Sequence, residues 1–436
     1  LQKMPHLLIA GTTGSGKSFE IGWLSHLLTS LYKTDTDTKR MFDTILVITD
    51  RKVLDKQLQK TVTQLEQTSG VVNPVELTSQ QLKEFLELGK DIIITTVQKF
   101  PVISETISEL KSKSFGVIID EVHSSQSGET SKHLKKSLSV TEDEDGEIDY
   151  EEMIRKEIES RGKQSHISFF GFTGTPKNKT LELFGRKNTE GNFVPFHSYT
   201  MKQSIHEGFT LDVLQNYTTY KRYFKVLQTD EEDVELPEGK VKRELVNYVD
   251  SHHETIKQKV TIILNHFVKK TSKTISGRGR GMVVVRSRKH CVLFHEEMVK
   301  QMRERNLSYS CLVGYSGSIY HNGRENTETS LNSENGLQGK NIPNGLKDPQ
   351  YRILIVSNKF QTGFDEPLLQ SMFVDKKLSG VQCVQTLSRL NRTKSGKTDT
   401  FVLDFSNETD GIVESFQPYY TSTILTEETD PDKLYD

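Results

Sequence analysis

Near the start of the chain, Gly11-Thr12-Thr13-Gly14-Ser15-Gly16-Lys17-Ser18 has the spacing G-x-x-x-x-G-K-[ST]. Residues of these types in this order make a phosphate cradle. Glycines let backbone N–H groups curl around anionic oxygens, and the start of a following helix adds partial positive charge. In such a loop Lys17 reaches the β- and γ-phosphates of a nucleoside triphosphate, and the Ser18 hydroxyl ligates Mg²⁺. Further on, Gly116-Val-Ile-Ile-Asp120-Glu121-Val122-His123 ends an apolar run with two carboxylates. Asp120 suits a Mg²⁺ ligand, direct or through water, and Glu121 suits a base that orients and deprotonates an attacking water. His123 is either a γ-phosphate sensor or an ordinary loop histidine.

Two weaker signals lie further along. Phe172-Thr173-Gly174-Thr175-Pro176 offers small hydroxyl residues after an apolar run; it is either a plain turn or a coupler between nucleotide and lobe interface. Gln385-Thr-Leu-Ser-Arg389-Leu-Asn-Arg392 puts two arginines three residues apart, which predicts one shared helix face. Guanidinium groups supplied across a cleft neutralise charge growing on a transferred phosphoryl group.

These groups need rigid strands to hold them. Apolar runs of strand length recur at Leu7–Ala10, Thr44–Thr49, Asp91–Thr95, Gly116–Ile119 and Ile167–Phe172. The pattern returns at Gly281–Val285, Cys311–Tyr315, Arg352–Val356, Ser371–Val374 and Thr400–Phe405. Val- and Ile-rich runs without alternation suit parallel strands buried on both faces. Strand, helix, strand succession appearing twice predicts an α/β fold of two RecA-like, doubly wound parallel-sheet lobes in tandem, the P-loop NTPase kind. The boundary is expected near residue 205, giving lobe one over 1–205 and a linker with lobe two over 206–436. Gln228–Lys242, Thr141–Tyr150 and Ser316–Tyr351 are polar or acidic stretches expected to be solvated loops.

Composition narrows the classes. The chain has 436 residues, 34% hydrophobic and 27% charged, enough apolar material for more than one core. A formal net charge of −2 means any nucleic-acid surface must be a local patch. Cys291, Cys311 and Cys383 form no CxxC pair, which argues against a disulfide framework or zinc site and for a reducing cytoplasm. No apolar run approaches the roughly 20 residues of a membrane span. The chain opens directly into a strand without a signal peptide, so a preceding portion of a longer protein is expected.

Phosphate loop, Asp-Glu-Val-His, Thr-Gly-Thr-Pro, the loop Gln361-Thr362-Gly363-Phe364-Asp365 and the arginine segment succeed one another in an order that resembles superfamily-2 helicases and translocases. More specifically, the chain resembles the motor of the restriction (R) subunit of type I restriction–modification enzymes. Phe42–Leu58, Phe169–Pro176, Gly208–Tyr220 and Lys359–Leu369 carry that likeness. The most specific block runs from Val374–Gly380 through Gln385–Arg392 to Asp399–Phe405, and the likeness spans roughly residues 40–425.

The resemblance implies ATP and Mg²⁺ as cofactors, with Gly363 and Asp365 joining Gly11–Ser18 around the nucleotide. Lys17, Asp120, Glu121, Arg389 and Arg392 become the catalytic set, with Ser18 and Asp120 at the metal. Thr95, Thr96, Gln98 and Lys99 of lobe one, and Arg286, Ser287 and Arg288 of lobe two, are implied contacts to the phosphates of one DNA strand. Such contacts position DNA without reading its sequence. Implied partners are double-stranded DNA and the methyltransferase and specificity subunits of a restriction–modification complex, with no membrane.

Family members also carry an N-terminal nuclease domain and a C-terminal helical region, for which this chain has no room. It is therefore expected to be an ATP-driven motor without a nuclease centre. The triplet Glu238-Gly239-Lys240 lies in a charged, proline-containing stretch rather than on an apolar strand, and does not read as one. Residues 1–18 resemble instead the hexameric DNA pumps of bacterial division. The alternatives are a stand-alone strand-separating helicase or DNA pump, and a binding module whose ATP site is a non-hydrolysing switch. Intact Lys17, Glu121 and Arg392 argue against the last.

Overall fold

Strands form where Val, Ile and Phe cluster, and each of the ten apolar runs matches one to within a residue or two at its ends. The computed structural model describes residues 6–34, 36–49, 52–66, 70–75, 78–122, 166–220, 253–339, 341–360 and 364–420. The chain divides into two units, Leu1–Met201 and Lys202–Asp436.

The first unit contains β1 (Leu7–Gly11), β2 (Thr44–Thr49), β3 (Val72–Pro74), β4 (Ile92–Thr96), β5 (Phe115–Asp120) and β6 (Ile167–Thr173). A small hairpin, β7 (Arg186–Lys187) with β8 (Phe193–Val194), precedes β9 (His197–Tyr199). Among the described residues the main sheet has the order β3-β4-β2-β5-β6-β1-β9, and every pairing in it is parallel. Successive residues of one strand enter different cores. Leu46 and Ile48 of β2 join one buried cluster, while Ile45 and Val47 join another. Both faces of the sheet are therefore covered, and each such side chain contributes about 1.5–3 kcal/mol by leaving water.

The second unit contains β10 (Tyr217–Thr219), β11 (Arg280–Val285), β12 (Ser310–Gly314), β13 (Ser318–His321), β14 (Arg324–Thr327), β15 (Tyr351–Val356), β16 (Leu369–Asp375) and β17 (Phe401–Asp404). Its main sheet has the order β10-β17-β16-β11-β15-β12, again parallel throughout. Val283, Val285, Ile353, Ile355, Phe373 and Leu403 form the centre of its core. Cys291, Cys311 and Cys383 are buried and free. Among the described residues, no helix is long and apolar enough to cross a membrane.

The stretch Ser316–Tyr351, expected to be a solvated loop, is not one. It folds as the antiparallel hairpin β13–β14, then the helices Glu328–Glu334 and Ile342–Gly345. Two of its asparagines bond to the exposed edge of β12. The Asn332 side chain accepts from Val313 N–H and donates to Val313 O, both at 2.8 Å, replacing a missing neighbour strand of β12. Asn335 Nδ2 donates to Cys311 O at 3.0 Å. The other two expected loops, Gln228–Lys242 and Thr141–Tyr150, lie outside the described residues, as does Glu238-Gly239-Lys240.

Candidate nucleotide site

In the first sheet β6 lies between β5 and β1, so the segments leaving these three strands emerge side by side. Asp120 is paired with Phe172, and Ala10 with Thr173. From β1 the chain crosses to β2, beyond β6 and β5. Such a switch in strand order opens a crevice at the carboxyl ends, where α/β proteins bind ligands.

The loop Gly11–Ser18 fills that position. Gly16 takes φ +98° as the residue before the helix Lys17–Thr29, a backbone conformation that costs glycine little. It has no side chain to cap the first turn, which leaves the helix-start amides to an anion. Thr12 N–H donates to Tyr199 O at 3.1 Å, so the edge strand β9 braces the loop. One turn into the helix, burial raises the Glu20 carboxyl above its ordinary range, against the opposing pull of Lys17 and His197.

Three separate segments converge on the Lys17 ammonium, whose residue is only 8% exposed. Its Nζ donates to Gly11 O at 3.0 Å and stands 3.8 Å from Glu121 Oε1. The third segment is the turn after β6. A Cβ on Gly174 would come within 3.0 Å of Thr13 Oγ1 and 3.3 Å of Lys17 Nζ, so glycine is what lets this turn approach so closely. Thr175 N–H donates to Thr173 Oγ1 at 3.1 Å and fixes the turn.

Glu121 has φ +51°, a left-handed conformation costing a residue other than glycine about 1–3 kcal/mol. The bond from Val122 N–H to Phe172 O, at 3.1 Å, holds the backbone there. Asp120 and Ser18 are half-buried, at the end of β5 and in the first turn of the loop helix. One carboxylate and one hydroxyl suit Mg²⁺, which takes few protein oxygens and completes its octahedron with phosphate oxygens and waters. His123 lies outside the described residues.

In the second unit the arginine segment departs from expectation. The helix Gly380–Leu387 ends at Ser388, so Arg389 and Arg392 do not share a helix face. They lie in the turns beyond it, where Leu390 N–H bonds back to Leu387 O and Leu211 N–H pins Asn391 O. Arg389 is buried; its Nε donates to Gln385 O at 3.0 Å and its Nη1 to Phe364 O at 3.1 Å. Arg392 Nε donates to Asp365 Oδ1 at 3.0 Å, and its Nη1 to Ser388 O at 3.1 Å. Gly363 lies outside the described residues. Sequence reading passed over Lys397, a lone lysine in a polar turn. It is buried, and its Nζ donates to two carbonyls in the arginine segment.

The residues implied as DNA contacts are placed unevenly. Thr95 is fully enclosed within β4, so the phosphate contact expected of it has no surface to form on. Thr96, Gln98 and Lys99 are half-buried, and Lys99 Nζ donates to Val75 O at 3.2 Å. Ser287 caps the helix Arg288–Glu304 by accepting from His290 N–H. Arg288 is exposed, with Nη1 near Ser316 O and Ser318 O, and Arg286 is half-buried after β11.

Comparison with known proteins gives the family. Residues 6–245 match the SWI2/SNF2 ATPase family, and residues 216–407 match domain 3 of type I restriction enzyme subunit R. The endonuclease subunit of the type I restriction enzyme SauMSSORF170P from Staphylococcus aureus strain MSSA476 is 24% identical over 461 residues, covering 95% of this chain and 43% of the relative. The chain thus spans less than half the length of that relative. Among solved structures, a fragment assigned to an HsdR subunit of a type I restriction enzyme from Vibrio vulnificus YJ016 superposes with TM-score 0.52 at 16% identity, over 95% of this chain and 61% of that one. The ATP-dependent type ISP restriction–modification enzyme LlaBIII, bound to DNA, gives TM-score 0.53 at 14% identity, over 93% of this chain and 26% of that one. Both share the fold. With more than half of its residues matched, the chain belongs to the SWI2/SNF2 ATPase family, and within it resembles the R subunits of type I restriction enzymes.

Proposed function

We propose that the chain is the ATP-driven motor part of a type I restriction enzyme R subunit, moving along double-stranded DNA. The observation that carries this reading is the meeting of Gly11, Glu121 and Gly174 around the Lys17 ammonium. A phosphate-binding cation, a carboxylate base and a third loop touching both loop and cation are the parts that triphosphate hydrolysis needs.

In this reading Gly11–Ser18 hold the phosphates of ATP, and Ser18 and Asp120 hold Mg²⁺. The bound ion neutralises charge on the β- and γ-oxygens. Lys17 adds positive charge at the same oxygens, and Glu121 takes a proton from the attacking water. Arg389 and Arg392 are assigned to the charge that grows on the transferred phosphoryl group, with Gly363 and Asp365 beside the nucleotide. Thr96, Gln98 and Lys99, with Arg286, Ser287 and Arg288, are assigned to DNA phosphates; Thr95 is left out. Base reading then falls to the specificity subunit of a complex that also contains a methyltransferase, and the compartment is the cytoplasm.

A triplex-displacement assay run beside a strand-separation assay tests this. With ATP and Mg²⁺ the chain should strip a third strand from duplex DNA without separating the duplex, and circular duplex should stay uncut. Separated strands would favour a stand-alone helicase, and linear product would place a nuclease centre in this chain.

A further inference from the structure

After Arg392 the chain reverses, with Lys397 N–H donating to Lys394 O at 2.8 Å and the two residues bridged. The reversal sends the Lys397 side chain back beneath the arginine segment, where the residue is only 6% exposed. Its Nζ donates to Leu390 O at 2.6 Å and to Arg392 O at 2.8 Å. The same short segment is tied from the other side. Leu211 N–H donates to Asn391 O at 2.8 Å, and Thr210 forms a bridge with Arg392. Leu390 is fully buried and anchors the segment in the core.

Burying an amine is unfavourable unless its donors find acceptors. Here burial, with the nearby Arg392 charge, pushes Lys397 down to about 7. A lysine needed only to fill space would be better replaced by a methionine of similar length. The contacts it makes are to backbone carbonyls, and those fix the path of the main chain at one residue above all.

We infer that Lys397 is a positioning residue for Arg392: its Nζ donors clamp the carbonyls of Leu390 and Arg392 and so set the direction in which the Arg392 guanidinium leaves the turn. This rests on the reading of Arg392 as a group acting on the transferred phosphoryl. A guanidinium displaced by about 1 Å from its productive place loses up to roughly 100-fold in rate while ground-state binding is spared.

The test compares K397M, K397R, R392A and the K397M/R392A double variant of this chain in steady-state ATP turnover with duplex DNA, with nucleotide affinity and thermal melting measured alongside. K397M should lower kcat by about 10- to 100-fold while KM and nucleotide Kd stay within about twofold. K397R should recover part of the loss, and the double variant should be no slower than R392A. Lys397 is not a positioning residue if K397M keeps normal kcat while R392A collapses, or if K397M slows the R392A background by the same factor as the parent chain. An R392A variant with normal kcat would instead remove the arginine reading, and the inference with it. Should K397M lose its cooperative melting transition, the same comparisons are made with K397R and K397Q.

Discussion

The loop around Lys17 and the turn around Arg392 are each proposed to present a cation to phosphate chemistry, yet they hold it by different means. Lys17 is reached by segments far apart in the chain, the end of β5 and the turn after β6, brought to it by adjacent parallel strands. Arg392 is held by Ser388 and Lys397, close to it in the chain, by Asp365 from the loop before β16, and by a backbone bridge to Thr210. The first arrangement is a property of the sheet, and disturbing it means disturbing the core. The second is a property of a turn, which single side chains can loosen without unfolding the unit.

The two arginines sharpen that contrast. Arg392→Ala should cost roughly 10³-fold in turnover with only a modest loss of nucleotide affinity. Arg389→Ala, assigned to the same charge, should lose stability as well as turnover. It removes a buried donor from Phe364 O and Gln385 O, which should destabilise the second unit by about 1–3 kcal/mol. ATPase kinetics and thermal melting on both variants separate the roles. An equal loss of ATP affinity in Arg392→Ala would mean that it supports ground-state binding instead.

A third effect, in the second unit, concerns acid. Burial lowers His266 to about 4, and burial likewise lowers His295 to about 4. His266 is stacked on Phe401 at 3.8 Å, and His295 Nε2 accepts from Asn335 Nδ2 at 2.6 Å. Both are neutral in the fold, whereas in the unfolded chain each takes up a proton below its ordinary value of 6.5. Stability is therefore fully present above about pH 6.5 and is lost as pH falls toward about 4, by up to roughly 3 kcal/mol for each group. Melting curves at pH 7 and pH 5 should show the loss, and His266→Phe should flatten it. An unchanged pH dependence in that variant would mean that His266 carries none of it.

Much of this was legible in the sequence because the physics is local or periodic. The Val- and Ile-rich runs predicted buried strands, and the spacing of Gly11–Ser18 predicted a loop between a strand and a helix; both are present. The features that stayed hidden are non-local or atypical. Ser316–Tyr351 is polar, yet Asn332 and Asn335 spend that polarity on the edge of β12, a use that composition cannot reveal. The arginine spacing suggested a helix face, but the helix stops at Leu387, and tertiary ties from Leu211 and Lys397 shape the turns beyond it. Thr95 read as a strand-end hydroxyl; the β4 strand continues to Thr96 and encloses it. The left-handed backbone of Glu121 left no trace in residue type.

The central claim is that ATP is hydrolysed at the Lys17 loop with Glu121 as the base. Glu121→Gln keeps the shape of that side chain and removes its basicity, whereas Lys17→Ala removes the phosphate charge partner. Nucleotide affinity and ATP turnover should be measured together on both variants with duplex DNA present. Turnover should vanish in each, with ATP affinity retained in Glu121→Gln and weakened in Lys17→Ala. Turnover close to the parent rate in Glu121→Gln would contradict the account.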